Sequence, residues 1–193
     1  GPMLVEADGR KRRPWVFRMV LSYSRKGYTE AVLRQNTETF LRCLENGFRH
    51  FGGVSQTINL DNLKAAVLKF DWADPELNPK LRDFARHYGT TILPCRPKTP
   101  EHKGKVESNI RYVRNNALAG RSFPSLARLN EHLFHWERTV ADVRIHGTIK
   151  RQVAGVIQAE KPLLKPLPVL LFPCFEEGRR TVEIFTAIYR SQR

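Results

Sequence analysis

Two acidic residues stand at positions where a carboxylate is well placed to hold a cation. Asp61 directly follows the apolar stretch 58–60, and Glu107 lies in the first turn of a helical stretch entered from a loop with Gly and Pro. Ligand sites of open α/β sheets gather at the carboxyl ends of strands, and a helix N-terminus favours negative charge. Taken singly, each acid has a simpler structural explanation, an Asp-Asn turn for Asp61 and an ordinary helix start for Glu107. Their matched placement is what suggests a joint role.

The overall charge of the chain points to a polyanionic partner. The 193 residues include 33 Lys and Arg against 19 Asp and Glu, a formal net charge of +14 with a pI of about 10.2. A surplus of this size creates a strong positive potential. An acidic membrane surface would attract the same charge, but no apolar run approaches the roughly 18 residues of a spanning helix. We therefore expect a nucleic-acid partner and no membrane partner.

The cysteines indicate a reducing compartment. Cys43, Cys95 and Cys174 are widely spaced and form no CxxC pair. This pattern fits free thiols and argues against both a disulfide framework and a structural zinc site. The N-terminus also lacks the apolar core of a signal peptide. We expect a cytoplasmic protein.

The hydrophobic pattern predicts strands that alternate with helices. The predicted elements are strands over 15–23 and 28–33, a helix over 36–49, a strand over 57–60, an ordered loop over 70–79, a helix over 79–88, a strand over 91–95, a basic loop over 96–104 and helices over 105–118, 125–142 and 150–160. Val106, Ile110, Val113 and Ala117 recur at helical spacing and should face the core. This alternation implies a mostly parallel sheet covered on both faces. The order resembles the ribonuclease H-like fold without the beginning of its first strand.

The chain divides into three predicted regions. Residues 1–120 form the ribonuclease H-like α/β core, a mixed sheet flanked by helices, and 121–161 form a helical extension. Residues 162–193 begin with a stiff proline-rich linker, Pro162-Leu163-Leu164-Lys165-Pro166-Leu167-Pro168. A β-rich C-terminal segment follows, with strands expected near 169–172 and 181–189.

Several short motifs resemble one family of proteins. Two segments are similar to those that carry the second and third catalytic acids of retroviral-type integrases. The first is 60–62, which follows a strand. The second is 106–108, which begins a helix after a basic loop with His102-Lys103-Gly104. The fuller match, over roughly residues 10–175, is to the IstA-like transposases of bacterial insertion sequences. Its motifs are Tyr23-Ser24-Arg25-Lys26, Phe51-Gly52-Gly53, Asp61-Asn62-Leu63-Lys64, Glu76-Leu77-Asn78-Pro79, Arg144-Ile145-His146-Gly147 and Pro166-Leu167-Pro168. Asp61 and Glu107 are 46 positions apart (107 − 61), a longer spacing than integrases show, and the loop at 70–79 accounts for the excess.

The resemblance implies a DDE-type polynucleotidyl transferase in which Asp61 and Glu107 are catalytic acids and metal ligands. Phosphoryl transfer on DNA uses two divalent cations to activate a 3′-hydroxyl or water and to stabilise the leaving oxygen. Mg²⁺, or Mn²⁺ in its place, prefers oxygen ligands, so a few carboxylates and the scissile phosphate suffice. No covalent protein nucleophile is required.

The family's third acid is an Asp on the first strand, in a short Val-Asp-aromatic-Gly stretch that this sequence lacks. Asp8 is the only nearby Asp, but Asp8-Gly9 has the pattern of a turn between basic residues. We expect the first catalytic acid to lie upstream of residue 1, with Asp8 as the alternative. The 193-residue chain is then expected to bind DNA without joining strands.

The resemblance also implies which residues contact DNA. Arg111 and Arg114 follow Glu107 by four and seven positions on one helical face, where integrases place basic DNA-contacting residues. The alternative is an ordinary Glu107–Arg111 helix pair beside a solvated Arg114. Basic loop residues would line the scissile phosphate: Arg96, Lys98, His102, Lys103 and Lys105. The cluster Arg10 to Arg13 could bind DNA backbone or form a solvated turn.

The implied partners are double-stranded DNA of the element ends and of the target, other transposase subunits and a helper ATPase, in a bacterial cytoplasm. Two other functions remain compatible with the sequence. One is a non-catalytic DNA-binding or assembly module on the same fold, and the other is a hydrolytic nuclease that uses water as the nucleophile.

Overall fold

A computed structural model of the chain describes residues 2–5, 8–60, 67–69, 76–77, 79–94 and 108–173. The first elements are two short antiparallel strands, β1 (Met3–Val5) and β2 (Lys11–Arg12). Between them Gly9 adopts a φ of +79°, a value that favours glycine. Asp8 Oδ1 accepts a hydrogen bond of 3.0 Å from the Arg10 N–H. The predicted Asp8-Gly9 turn is confirmed.

The predicted hairpin follows and is antiparallel throughout. β3 (Trp15–Val20) pairs with β4 (Gly27–Val32) over all six residues of each strand. β3 was expected to run to residue 23, which is wrong by three positions. The chain turns earlier because the Leu21 N–H donates to the Lys26 carbonyl (2.9 Å) and Arg25 takes a φ of +64°.

Helix α1 (Thr37–Phe51) follows, close to its predicted range. The Asn36 side chain accepts a hydrogen bond of 2.9 Å from the Thr39 N–H and so caps the N-terminus. At the other end Gly52 takes a φ of +78°, and its N–H donates to the last-turn carbonyls of Phe48 and Arg49. The Gly52-Gly53 pair therefore ends the helix as the sequence predicted.

The parallel part of the sheet also lies where it was expected. β5 (Thr57–Leu60) and β8 (Thr91–Pro94) pair in parallel. The crossover between them contains α2 (Pro79–Tyr88). It also contains a short antiparallel pair, β6 (Val67–Lys69) with β7 (Glu76–Leu77), which the sequence reading missed. Most of the predicted loop over 70–79 lies outside the described residues.

Successive residues of β3 show that the sheet has helices on both faces, because neighbouring side chains of a strand point to opposite sides. Phe17 packs on the cluster formed with α1, α2, β5 and β8, which contains Phe48 and Phe84. Val16 packs on a second cluster that contains Val113 and Leu129. The cover on both faces that the alternation of elements predicted is confirmed. The sheet is mixed rather than mostly parallel, because two of the five strand pairings in the described residues are parallel.

The second cluster is built by the C-terminal helices. Helix α3 spans 108–113 and continues as a π-helical turn at Arg114–Leu118. Strand β9 (Ser122–Phe123) then pairs in parallel with β1. Helix α4 (Leu126–Trp136) ends in a π-helical turn at Glu137–Ala141, and α5 covers Val153–Glu160. In the described ranges, no helix has the length and apolarity needed to cross a bilayer.

Two expectations for this half of the chain are wrong. Residues 169–172 were expected to form a strand, but they contain none, and Val169 is 99% exposed. Prolines at 166, 168 and 173 remove backbone donors, and Phe172 instead packs its ring 5.3 Å from Phe84. Ile110 was expected in the core but is 38% exposed, whereas Val113 and Ala117 are buried. The expected strand near 181–189 lies outside the described residues.

Candidate active site

A cleft of about 730 Å³ separates the two halves of the sheet. One wall is β3 and the other is β5 with the two residues before it. Helix α1 contributes Phe40 and Leu44, and α3 contributes Asn109 and Ile110. The exposure of Ile110 follows from this position, because its side chain borders open space.

The two predicted catalytic acids lie outside the described residues, but their chain neighbours are described. Leu60, which is bonded to Asp61, lines the cleft at the end of β5. Asn109, two positions after Glu107, lines the same cleft from the start of α3. The basic loop residues Arg96, Lys98, His102, Lys103 and Lys105 also fall outside the described residues. Within the described ranges, no group of three or more His, Cys, Asp or Glu side chains could hold a metal ion.

Two of the predicted DNA-contacting residues are described. Arg111 and Arg114 are both exposed, and Val113 between them is buried. This arrangement leaves both guanidinium groups accessible to a phosphate backbone. Residues 10–13 are also exposed, and Arg10 forms an ion pair of 3.2 Å with Asp8. That ion pair and the turn geometry give Asp8 a structural role at the surface.

A buried polar network connects the hairpin to the helical extension, and the sequence reading missed it. Arg18 of β3 and Glu137 of the second π-helical turn form an ion pair in which the side chains are 4% and 1% exposed. The Thr29 hydroxyl donates to the same Glu137 oxygen at 2.6 Å. Burial lowers the pKa of Arg18 to about 10, helped by the nearby Arg144. Arg18 therefore remains charged at neutral pH and needs its carboxylate partner.

The family motifs at the hairpin turn lie in the same junction. Ser24 is fully buried, and its N–H donates to Glu160 Oε2 at 2.9 Å. Lys26 forms a mostly buried ion pair with Asp142. The guanidinium of Arg144 lies 3.6 Å from the ring centroid of Tyr112, a cation–π contact. These motif residues thus hold the extension against the core. A charged residue inside an apolar strand, as Arg18 is, was the signal in the sequence that could have revealed this network.

The chain is similar to a known protein family over half of its length. Residues 3–100, which are 98 of the 193, match the integrase core domain family. The chain belongs to the integrase core family. The match covers the hairpin, α1, the β5–β8 crossover and the sheet edge at which Asp61 follows β5.

Relatives of this integrase core are transposases. A protein of Mycobacterium tuberculosis (strain ATCC 25618 / H37Rv) that is named as a transposase is 35% identical over 138 residues, which cover 72% of this chain and 34% of that protein. The transposase for insertion sequence element IS21 of Pseudomonas aeruginosa is 32% identical over 169 residues, which cover 87% of this chain and 43% of that protein. The integrase core chain spans less than half the length of these relatives. The resemblance to insertion-sequence transposases is confirmed.

A solved structure supports the fold. The cryo-EM structure of the simian T-cell lymphotropic virus intasome in complex with PP2A regulatory subunit B56 gamma contains a chain that is similar, with a TM-score of 0.55 and 15% identity. The similarity covers 91% of the integrase core chain and 57% of that chain. At this identity the likeness concerns the fold, and the predicted ribonuclease H-like architecture is confirmed.

Proposed function

We propose that this chain is the catalytic part of a bacterial insertion-sequence transposase that transfers DNA strands of the element ends into target DNA. Asp61 and Glu107 would be the catalytic carboxylates, and the protein would act in the cytoplasm with other transposase subunits and a helper ATPase. The single observation that carries the proposal is that Leu60 and Asn109 line one cleft. The two acids are one and two bonded positions away from these residues, although 46 positions separate them in the chain.

The donor set of the proposed site fits Mg²⁺ or Mn²⁺. Carboxylate oxygens from Asp61 and Glu107 are the ligands that hard divalent cations prefer, and the family resemblance implies a third carboxylate from a first-strand Asp. The cations, when bound, supply activation of the attacking oxygen and stabilisation of the leaving oxygen. The proposal requires the carboxyl groups of Asp61 and Glu107 to lie within about 10 Å of each other, because a metal pair spans only about 4 Å.

The described residues support the DNA-binding part of the proposal. Arg111 and Arg114 are exposed just after the proposed metal ligand Glu107, and the chain carries a net charge of +14. Exposed cations on a helix bind phosphates without reading bases, and they fix the position of the duplex. The remaining proposed contacts are Arg96, Lys98, Lys103 and Lys105.

The test is a strand-transfer assay with the natural full-length protein, a pre-cut terminal-repeat DNA and a plasmid target in Mg²⁺. We expect Asp61→Asn and Glu107→Gln each to lower product formation by about 100-fold or more, as loss of transition-state charge stabilisation does. Asp83→Asn is the matched control, since Asp83 is an exposed partner of Arg86 on α2 and should leave activity unchanged.

Two outcomes would count against the proposal. Full activity in the Asp61 and Glu107 variants would remove these acids from the catalytic site and leave them as turn and helix-start residues. A plasmid target that is nicked in every reaction without joined product would identify a hydrolytic nuclease instead. The 193-residue chain alone should shift DNA in a gel without joining strands. Joining that disappears on Asp8→Asn would make Asp8 the third acid.

A further inference from the structure

The turn between β3 and β4 has a buried side and an exposed side. Ser24 and Lys26 are buried against the helical extension. Tyr23 is 54% exposed, and Arg25 is half-buried with a φ of +64°. The buried pair holds the extension on the core, which leaves the two outward-facing residues of the motif without a structural role.

A second tight turn lies between the π-helical end of α4 and helix α5. The His146 N–H donates to the Arg151 carbonyl at 3.0 Å, and the Lys150 N–H donates to the His146 carbonyl at 2.8 Å. Lys150 takes a φ of +52°, and the side chains of Lys150 and Arg151 are exposed. The hydrogen bonds therefore fix a turn that presents two cations to the surface.

The two turns lie side by side. Arg151 Nη2 is 3.5 Å from the Tyr23 hydroxyl oxygen. Burial and the nearby guanidinium groups of Arg144 and Arg25 lower the pKa of His146, which places Arg25 close to that ring. The exposed groups thus form one surface, here called the basic double turn, which consists of Tyr23, Arg25, His146, Lys150 and Arg151.

The positive charges of the basic double turn are not neutralised by the protein. In the described part of the chain, no ion pair involves Arg25, Lys150 or Arg151. Asp142 and Glu160 lie at the same junction, but an ion pair and a backbone hydrogen bond already use these carboxylates. Three cations without a counter-charge create a local positive potential that attracts a polyanion.

The same surface also presents uncharged hydrogen-bond donors. His146 Nδ1 accepts a hydrogen bond of 3.2 Å from the Thr148 N–H, so the neutral ring carries its proton on Nε2. Arg25 Nε is buried and has no hydrogen-bond partner among the described residues. The Tyr23 hydroxyl adds a further donor. Cations combined with hydroxyl and N–H donors are the groups that bind the phosphates of a DNA backbone.

The basic double turn is at the far end of the sheet from the proposed catalytic acids. The Ser24 N–H is bonded to Glu160, and a Cβ added at Gly52 would lie 3.2 Å from Cε of the next residue, Lys161. The double turn is therefore near the start of the β5 segment, whereas Asp61 follows its end. This segment is β5 with the two residues before it, and its length is about 17 Å at the usual rise of a strand.

We propose that the basic double turn binds the phosphate backbone of a DNA duplex, as a contact region separate from the proposed catalytic edge. The identity of the ligand rests on the proposed function, but the surface and its residues are different. A separation of about 17 Å corresponds to about five base pairs of duplex. Two contact regions at this distance would fix the direction of a duplex on the protein, which a single region does not do.

The first test measures DNA binding by the 193-residue chain, with fluorescence anisotropy of a labelled duplex over a series of salt concentrations. Arg151→Gln and Arg25→Asn each remove one cation, and Asn tolerates the left-handed φ of position 25. Each variant should weaken binding several-fold and lower the salt slope of log K by about 1. The matched control Arg128→Gln removes one exposed cation from α4 and should change neither quantity.

The second test follows the histidine rings of the unsubstituted chain by NMR. Duplex DNA should move the ring resonances of His146 and raise its pKa, because phosphate charge offsets the effect of Arg144 and Arg25. His135, which is exposed on α4, should keep its resonances. A response confined to His146 reports contact at the double turn and not a change in net charge.

Four results would overturn the inference. Unchanged slopes for Arg25→Asn and Arg151→Gln, with a lower slope for Arg111→Ala, would remove the double turn from the interface and leave the proposed function intact. An equal fall in slope for Arg128→Gln would show a general effect of charge. Resonances of His146 that respond to poly-glutamate or inorganic phosphate but not to duplex DNA would assign the surface to an acidic protein or a small anion. Absence of DNA binding by the unsubstituted chain would refute the proposed function as well.

Discussion

Replacing Glu137 should destabilise the protein more than any exposed charge change. Glu137 is 1% exposed, and it is the carboxylate partner of Arg18, whose side chain is 4% exposed. Glu137→Ala removes the acceptor for both Arg18 and the Thr29 hydroxyl and leaves a buried guanidinium without its counter-charge. Breaking a buried pair from one side costs about 3–5 kcal/mol.

The magnitude can be checked by urea denaturation followed by circular dichroism. A loss of 3–5 kcal/mol in the free energy of unfolding corresponds to a fall in Tm of about 6–20 °C for a chain of this size. Glu131→Ala is the matched control on the same helical segment, because Glu131 forms an exposed pair with Arg128 at 2.7 Å. Such surface pairs contribute only about 0–1 kcal/mol.

A double variant shows whether the buried charge is the cause. Arg18→Met combined with Glu137→Leu removes both charges and should recover most of the stability that Glu137→Ala loses, since apolar replacements of buried pairs are often neutral. A loss below about 1 kcal/mol for Glu137→Ala would refute the reasoning. It would mean that water reaches Arg18 in solution.

Three further predictions concern other parts of the molecule. Burial, with Lys26 nearby, lowers the pKa of His50 to about 4, so the unfolded chain takes up a proton between pH 6.5 and 4 that the folded protein excludes. The free energy of unfolding should keep its full value above pH 6.5 and fall by up to about 2 kcal/mol toward pH 4, after allowance for the partial exposure of His50. His50→Phe should remove most of this pH dependence in urea denaturation. An unchanged pH dependence in the variant would contradict the prediction. Gly53→Ala should lower the free energy of unfolding by about 2–3 kcal/mol, because an added Cβ would lie 2.6 Å from Leu164 Cβ and 2.9 Å from the Lys165 carbonyl oxygen. The control Gly155→Ala, on α5 with open space around it, should be neutral or stabilising by up to about 1 kcal/mol. Equal melting temperatures of the Gly53→Ala variant and the unsubstituted protein would disprove the close contact. Arg111→Ala and Arg114→Ala should each weaken DNA binding for all sequences and lower the salt slope of log K by about 1. The control Arg86→Ala, on α2 at the opposite face, should change neither the affinity nor the slope. An unchanged slope for Arg111→Ala or Arg114→Ala would show that the substituted arginine does not contact DNA.

The sequence predicted those elements whose formation depends on local signals. Helix α1 has an Asn cap, an apolar stripe and a Gly-Gly stop, and its limits were found within about two residues. β5 was placed with the correct ends, because its alternating apolar residues Ile58 and Leu60 are followed by a polar Asp-Asn pair. The family was recognised from short motifs that lie mainly on turns and element ends.

The remaining features depend on contacts between distant parts of the chain. Arg18 and Glu137 are 119 positions apart, so nothing near either residue reports that they form a buried pair. The segment 169–172 has strand-like residues, but prolines and the packing of Phe172 on α2 override that preference. Ile110 follows the helical stripe of α3, yet the cleft leaves it half-exposed. In each case tertiary context overrode local pattern.

The bridge between Val54 and Lys165 determines where the proline-rich stretch is attached to the core. The two residues exchange backbone hydrogen bonds of 2.8 and 2.9 Å, directly after the point where Gly53 allows close approach. Lys165 is therefore fixed on the core, and Phe172 returns to the surface of α2. The proline-rich stretch between them acts as a strap with both ends attached. A downstream element would be tethered at the α2 surface. The length of chain that connects it to the core would start at Phe172, so its local concentration would be higher on that side of the core.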